Sequence, residues 1–296
     1  VKAQEHVRPV DGQGRLLWRR DGRIGTILAE RGKLKDGDVE RVLELQRARG
    51  LRFGEAALRL GLITREDLNR AIATQFDLPY LPTGRKGAGS ELVIAYDPSR
   101  PAAEDLRALR TQLLIRWSAR GVRSPALAIV SPDSGEGRSY VAANLAVAFA
   151  QLGERTLLID ADLRAPRQHQ IFGLSGGVGL SAVLSGRCGR EAVTPLPAFG
   201  ALSLLPAGAC PPNPLELLTR PAFALLLEEL RPEFDLVLFD TAPARPFADA
   251  HGVTFRAGAA LVLARRDRTR LADVGCVVRE LTEAGAWVVG TVFNAF

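Results

Sequence analysis

The chain has 296 residues, 47% hydrophobic and 24% charged, and its 39 Lys and Arg against 33 Asp and Glu leave a net charge of +6. These proportions exclude a disordered or fibrous chain, and the length suffices to bury two separate cores. No apolar run reaches the ~20 residues that span a bilayer. The three cysteines lack metal-ligand or paired spacing, and the two charge signs are interspersed rather than gathered into a basic stripe. The composition therefore points to a reducing, cytoplasmic compartment and to no specific nucleic-acid partner.

The first pattern along the chain is an internal repeat. Residues Arg23 to Gln46 align with Arg52 to Gln75 at a constant offset of 29. Arg23 pairs with Arg52, Gly25 with Gly54, Gly32 with Gly61, Leu34 with Ile63, Val39 with Leu68, Leu43 with Ile72 and Gln46 with Gln75. Each copy reads as a short helix, a glycine turn and an amphipathic helix, so residues 1–81 are expected to form a small all-α repeat domain. Thr64 and Asp67 have the spacing of a capping box. The repeat resembles the tandem motif in the N-terminal domain of type II secretion and type IV pilus ATPases that binds cyclic di-GMP. That resemblance implies ligand contacts from Arg23, Gly25, Gln46, Arg52, Gly54 and Gln75. A two-fold ligand suits two copies of one element, and arginine can fork onto phosphate or the guanine edge. Lys33 departs from the motif, which prefers an apolar residue such as Leu62 of the second copy, so Lys33→Leu is expected to be neutral or favourable.

Residues 82–101 are rich in glycine, proline and serine and read as a linker to a second domain, 102–296. A helix follows in which Glu104, Arg107 and Arg110 share one face. Next comes the apolar strand of PALAIV, the glycine-rich turn SPDSGEGRSY and a helix, which is the context of a P-loop. Gly135 and Gly137 let backbone N–H groups approach a phosphate chain, and the helix adds its positive dipole end. Ser139 stands where a P-loop hydroxyl meets Mg²⁺, and Arg138 replaces the usual lysine with a larger planar fork. Two more apolar strands end in acids: LLIDAD in Asp160 and Asp162, LVLFD in Asp240. One such Asp reads as a helix cap; three beside a P-loop read as a site at the carboxyl edge of a parallel sheet.

These motifs resemble the cytoplasmic domain of bacterial tyrosine kinases that work with polysaccharide chain-length proteins. The carriers are SPDSGEGRS, LLIDADLR, LVLFDTAP, LLPAGACPPNPLELL and VVGTVFNAF. The resemblance implies a mostly parallel α/β sheet flanked by helices in the P-loop NTPase manner. It further implies ATP and Mg²⁺ as cofactors, exopolysaccharide synthesis or export as the setting, and a membrane chain-length partner that recruits the chain to the inner face of the plasma membrane. Gly135, Glu136, Gly137, Arg138 and Ser139 would bind phosphates, with Asp240 nearby and Asn294 near the adenine. Ser139, Asp162 and Asp240 would serve the metal. Asp160 would act on the acceptor hydroxyl, with Asp162 and Arg138 completing the catalytic set. Glu104, Arg107 and Arg110 would build a ring-like homo-oligomer. The chain departs from the family at Arg138 and in lacking a tyrosine-rich tail; its tyrosines are Tyr80, Tyr96 and Tyr140. A nucleotide-controlled assembly switch and a ParA/MinD-type positioning ATPase are the alternatives, the latter disfavoured because Ser131 to Ser134 lack that class's early lysine.

Overall fold

The computed structural model describes residues 24–75, 91–96, 100–122 and 125–295. Its contacts divide the chain into two compact units, Val1–Pro82 and Thr83–Phe296.

The first unit contains α1 (Ile24–Glu30), α2 (Asp36–Arg49), α3 (Phe53–Arg59) and α4 (Arg65–Gln75). Adding 29 to the bounds of α1 gives those of α3, and α2 and α4 start 29 residues apart. The eight buried residues of its core cluster form four pairs at the same offset: Ile27 with Ala56, Leu28 with Ala57, Leu34 with Ile63 and Val42 with Ala71. Packing crosses the repeat, with α1 against α4 and α2 against α3. Gly32 and Gly61 turn the chain at φ +68° and +67°, a region that penalises side chains. The capping box forms, with Thr64 N–H donating to Asp67 Oδ2 at 3.0 Å and Asp67 N–H to Thr64 Oγ at 3.1 Å.

The second unit opens with α5 (Val93–Tyr96) and α6 (Pro101–Arg120). Then follow β1 (Ala126–Val130), α7 (Arg138–Ala150), β2 (Thr156–Asp160), α8 (Gln168–Ile171), α9 (Leu180–Leu184), β3 (Thr194–Pro195) and β4 (Leu202–Leu205). The unit closes with α10 (Pro214–Thr219), α11 (Pro221–Leu230), β5 (Leu236–Asp240), α12 (Asp249–Ala257), β6 (Ala259–Arg265), α13 (Leu271–Glu283) and β7 (Trp287–Asn294). The strands form one sheet in the order β3-β4-β2-β5-β1-β6-β7, parallel except for β3 against β4. β1, β2 and β5 are almost wholly buried, which is why they read as continuous apolar runs rather than alternating ones. Val130, Ile159, Phe239 and Val262 belong to a core with Phe223, Leu227, Val253 and Val277 of the helices. Alternation sends Ile129, Leu158 and Leu238 to the other face, where α7 packs; the many alanines of α7 let it approach closely.

The linker reading needs one correction. Residues 91–96 belong to the second unit rather than to a spacer, because Leu92, Val93, Ile94 and Ala95 are buried and α5 packs on α7. Buried Asn144 of α7 holds the segment by its backbone, accepting from Ile94 N–H at 3.3 Å and donating to the Glu91 carbonyl at 2.8 Å. The flanking glycines and prolines mask this short apolar anchor in the sequence.

Candidate functional site

The order β2-β5-β1 at the sheet centre explains why the three motifs meet. Asp160 and Asp240 are register partners on β2 and β5, and Ile129 of β1 is the register partner of Asp240 on the other side. The loop 131–137 leaves β1 and enters α7 through Gly135 at φ +74° and Gly137 at φ +98°. A side chain at Gly135 would also crowd Arg268, whose Nη1 lies 3.2 Å from the position of a Cβ. The loop is braced from behind. The Glu136 carboxylate, 1% exposed, accepts from Asp133 N–H at 2.8 Å and from the Thr269 hydroxyl, so this side chain shapes the loop and leaves only its backbone for phosphate. Arg265 Nη1 donates to the Gly135 carbonyl at 3.1 Å, and Asn294 Nδ2 donates to the Glu136 carbonyl at 3.2 Å.

Arg138 uses its fork. Its Nε donates to the Thr241 carbonyl at 2.7 Å, and Nη1 donates to the Asp133 carbonyl at 2.7 Å and to Ser131 Oγ. Its Nη2 lies 3.9 Å from Asp162 Oδ2, both side chains being buried. A lysine ammonium could not bridge these groups in one plane.

The carboxylates divide by depth. Asp162 lies on the wall of a cavity of about 970 Å³, which is lined also by Ser134, Gly135, Gly137, Arg138 and Ser139 and by Leu106, Leu109, Phe293 and Asn294. Its Oδ1 accepts from Arg164 N–H at 3.1 Å and Ala165 N–H at 2.9 Å. Asp160 and Asp240 are completely buried. Burial and the neighbouring Asp240 charge raise the Asp160 carboxyl well above its usual range, against hydrogen bonds from the backbone of Gln168 and Asp162. Burial pushes Asp240 up to about 6, against hydrogen bonds from Ser139 and Gln168 and the charge of Arg138. Both Asp160 oxygens are engaged by backbone N–H groups, of Asp162 at 3.3 Å, Arg167 at 3.2 Å and Gln168 at 3.0 Å. The expectation that Asp160 itself faces the acceptor is corrected to this extent: the carboxylate on the cavity wall is Asp162.

Gln168 is a participant that the motif reading missed. It is fully buried, and its Nε2 donates to Asp240 Oδ2 at 2.8 Å and to the Ser139 carbonyl at 3.1 Å. A glutamine in a polar loop carries no local signal of such a place.

The other candidate residues fall outside this cavity or on its rim. Glu104 pairs with Arg107 at 2.9 Å on α6. Arg110 is half-buried and donates to the Ala148 carbonyl of α7 at 2.8 Å, so it also serves the fold of its own chain. Tyr140, half-buried, lines the cavity, whereas Tyr80 lies outside the described residues. In the repeat unit Arg23 lies outside the described residues, Arg52 and Gln75 are exposed, and Gln46 is half-buried. Gly25 and Gly54 have packing reasons of their own. A Cβ on Gly25 would lie 3.0 Å from Phe53 Cζ, and one on Gly54 2.5 Å from Leu68 Cδ1. Lys33 pairs with Asp67 across the repeat at 2.9 Å. Burial opposes the ionised form of Asp67, but hydrogen bonds from Thr64 and Lys33 hold its carboxyl at about 2. Lys33→Leu would thus remove a partner from the capping acid, whatever it does for ligand binding.

Residues 127–296 match the family model of the CobQ/CobB/MinD/ParA nucleotide binding domain. The chain is also 35% identical over 214 residues to tyrosine-protein kinase YwqD of Bacillus subtilis, covering 71% of this chain and 90% of that one. The chain belongs to the bacterial tyrosine-protein kinase family. It is 37% identical over 222 residues to the putative tyrosine-protein kinase EpsB of Ralstonia solanacearum, covering 75% of this chain but only 29% of EpsB. Among solved structures, the kinase domain of Escherichia coli tyrosine kinase ETK superposes with a TM-score of 0.66 at 30% identity, covering 72% of this chain and 82% of that one. The mostly parallel sheet flanked by helices is the expected P-loop NTPase fold. Among the described residues, no helix is long and apolar enough to cross a membrane.

Proposed function

We propose that this chain is an ATP-dependent protein-tyrosine kinase of exopolysaccharide synthesis or export, working with a membrane chain-length protein at the inner face of the plasma membrane. The observation that carries the proposal is the convergence of the glycine-rich loop, Arg138, Ser139 and Asp162 on one cavity wall, with two more acids directly behind. Backbone N–H groups of residues 135–139 and the start of α7 would receive the phosphates. The apolar lining residues Leu106, Leu109 and Phe293 suit a base, with Asn294 near it.

The residues also fit Mg²⁺. Ser139, Asp162 and Asp240 are hard oxygen donors, and Asp240 Oδ1 is buried without a hydrogen-bond partner among the described residues. Such an acid needs a cation or water near it. Mg²⁺ bound there would neutralise phosphate charge and polarise the transferred group. Arg138 adds fixed positive charge beside Asp162. Asp160, sealed behind this wall, would act through the turn that carries Asp162, whose backbone N–H donates to it at 3.3 Å.

Two finer parts of the proposal have their own support. Arg107, on the face of α6 that also holds Glu104, offers a contact for a ring of copies. The repeat unit would bind cyclic di-GMP through Arg23, Arg52 and the paired glutamines, supported by the recurrence of arginine, glycine and glutamine at the offset of 29. Titration of the full chain with cyclic di-GMP, with GTP as control, tests the second; equal weak binding of both would make the unit a docking module.

The catalytic proposal is tested by incubating the chain with Mg²⁺ and γ-labelled ATP, with and without its membrane partner. Label on tyrosine supports it. ATP-dependent oligomers without any phosphotyrosine would instead make the chain an assembly switch.

A further inference from the structure

Gln168, which belongs to no motif, joins three parts of the site. Its backbone N–H donates to Asp160 Oδ2 at 3.0 Å, and its side-chain Nε2 donates to Asp240 Oδ2 at 2.8 Å and to the Ser139 carbonyl at 3.1 Å. The ends of β2 and β5 and the first turn of α7 are thereby held by one residue at the start of α8. The two acceptors around Nε2 settle which way the amide lies, because a carbonyl in its place would face two oxygens. Two acceptors are then left buried without a partner among the described residues, Gln168 Oε1 and Asp240 Oδ1. Native proteins seldom leave such atoms unpaired, and those that remain call for an ion, a water or a function.

We infer that Gln168 is a positioning residue for the nucleotide site, holding Asp240 by Oδ2 so that Oδ1 is left for the hydration shell of a divalent cation. The inference rests on the nucleotide-binding reading of the cavity and adds to it a residue outside every motif. Asp240 has no other side-chain donors than Gln168 and Ser139 among its named hydrogen-bond partners. Without the amide it is free to turn toward the nearby Arg138 guanidinium, which would spend the carboxylate on an internal ion pair. Serine alone cannot prevent this, since a hydroxyl rotates and gives one hydrogen bond. The arrangement is the outer-shell device by which a group that never touches the metal sets the direction of one that serves it.

The test is calorimetric titration of the full chain with ADP, with and without Mg²⁺, for wild type and Gln168→Met. Methionine keeps the length and volume of the side chain but removes both the donor and the acceptor. The expected result is that Mg²⁺-free ADP affinity stays within about twofold, whereas the tightening produced by Mg²⁺ shrinks about tenfold to a hundredfold, the range for outer-shell changes at metal sites. An unchanged Mg²⁺ effect would overturn the inference. So would an equal loss with and without Mg²⁺, since that is how a purely structural brace behaves. Wild type that binds no ADP in either condition would bring down the nucleotide reading itself. If the methionine variant does not fold, Gln168→Asn serves instead. It keeps an amide too short to reach both acceptors, and the same selective loss is expected.

Discussion

Replacing Asp240 by asparagine should make the ligand-free protein more stable at neutral pH. Asp240 is completely buried and its carboxyl is pushed from 3.8 up to about 6, with burial as the largest cause. That displacement corresponds to about 3 kcal/mol of native-state penalty once the group ionises. Asparagine removes the charge but puts an amide nitrogen where Oδ1 has no partner, a loss of about 1–2 kcal/mol. The net gain is about 1–2 kcal/mol, or roughly 2–8 °C in Tm for a domain of this size. Because the folded-state pKa is raised, wild type loses stability as pH climbs from about 4 through about 6, and its full penalty is present above that. The advantage of Asp240→Asn should therefore be complete at pH 7.5 and turn into a loss of about 1 kcal/mol near pH 4, where the ionisation penalty is nearly gone and the cost of the amide remains. Differential scanning calorimetry at both pH values, without Mg²⁺ or nucleotide, measures it. A variant less stable than wild type by the same amount at both would refute the reasoning, because burial of the charge would then not be what limits stability here.

Other changes separate binding, chemistry and packing. Asp160→Asn should lower tyrosine phosphorylation far more than ATP affinity, since it holds the backbone of Asp162, the acid on the cavity wall, whose placement matters chiefly in the transition state; equal loss of both in steady-state and binding assays would reassign it to the scaffold. Arg138→Lys gives up a fork shared among Thr241, Ser131 and Asp133 and should cost about 1–3 kcal/mol in urea unfolding, even if turnover is preserved; unaltered stability would show that the fork is not braced as described. Gly54→Ala forces a Cβ to within 2.5 Å of Leu68 Cδ1 and should destabilise the repeat unit by about 1–3 kcal/mol, read by thermal unfolding, before any ligand is considered.

What could be read in advance was local. The glycines of the loop, the acids at the ends of apolar strands and the 29-residue offset are patterns within a short stretch, and the structure places them as a P-loop edge and as helices of matching bounds. The parts that escaped are contacts between distant residues. Glu136 resembles a phosphate-loop residue until the hydroxyl of Thr269, 133 positions on, is seen donating to its carboxylate. Gln168 reaches Asp240 across 72 positions, and nothing in its neighbours' chemistry announces that. Arg110 sits in an apparent interface triad, yet its guanidinium closes on the Ala148 carbonyl of its own chain. Lys33 looks like a lapse in an apolar motif until Asp67 of the other copy is seen beside it. Depth was also invisible: LLIDAD offers two acids two residues apart, and only the packed sheet shows Asp160 sealed beneath the cavity while Asp162 lines it.

The central claim is that the cavity at the carboxyl edge of β1, β2 and β5 transfers phosphate from ATP to tyrosine. It is tested most directly by mass spectrometry of the full chain and its membrane partner after incubation with Mg²⁺ and ATP, for wild type and Asp162→Asn. Phosphotyrosine on the chain or its partner in wild type, and its loss with Asp162→Asn while the variant stays folded, is the predicted result. Phosphotyrosine at equal levels with both proteins would place the chemistry elsewhere and contradict the account.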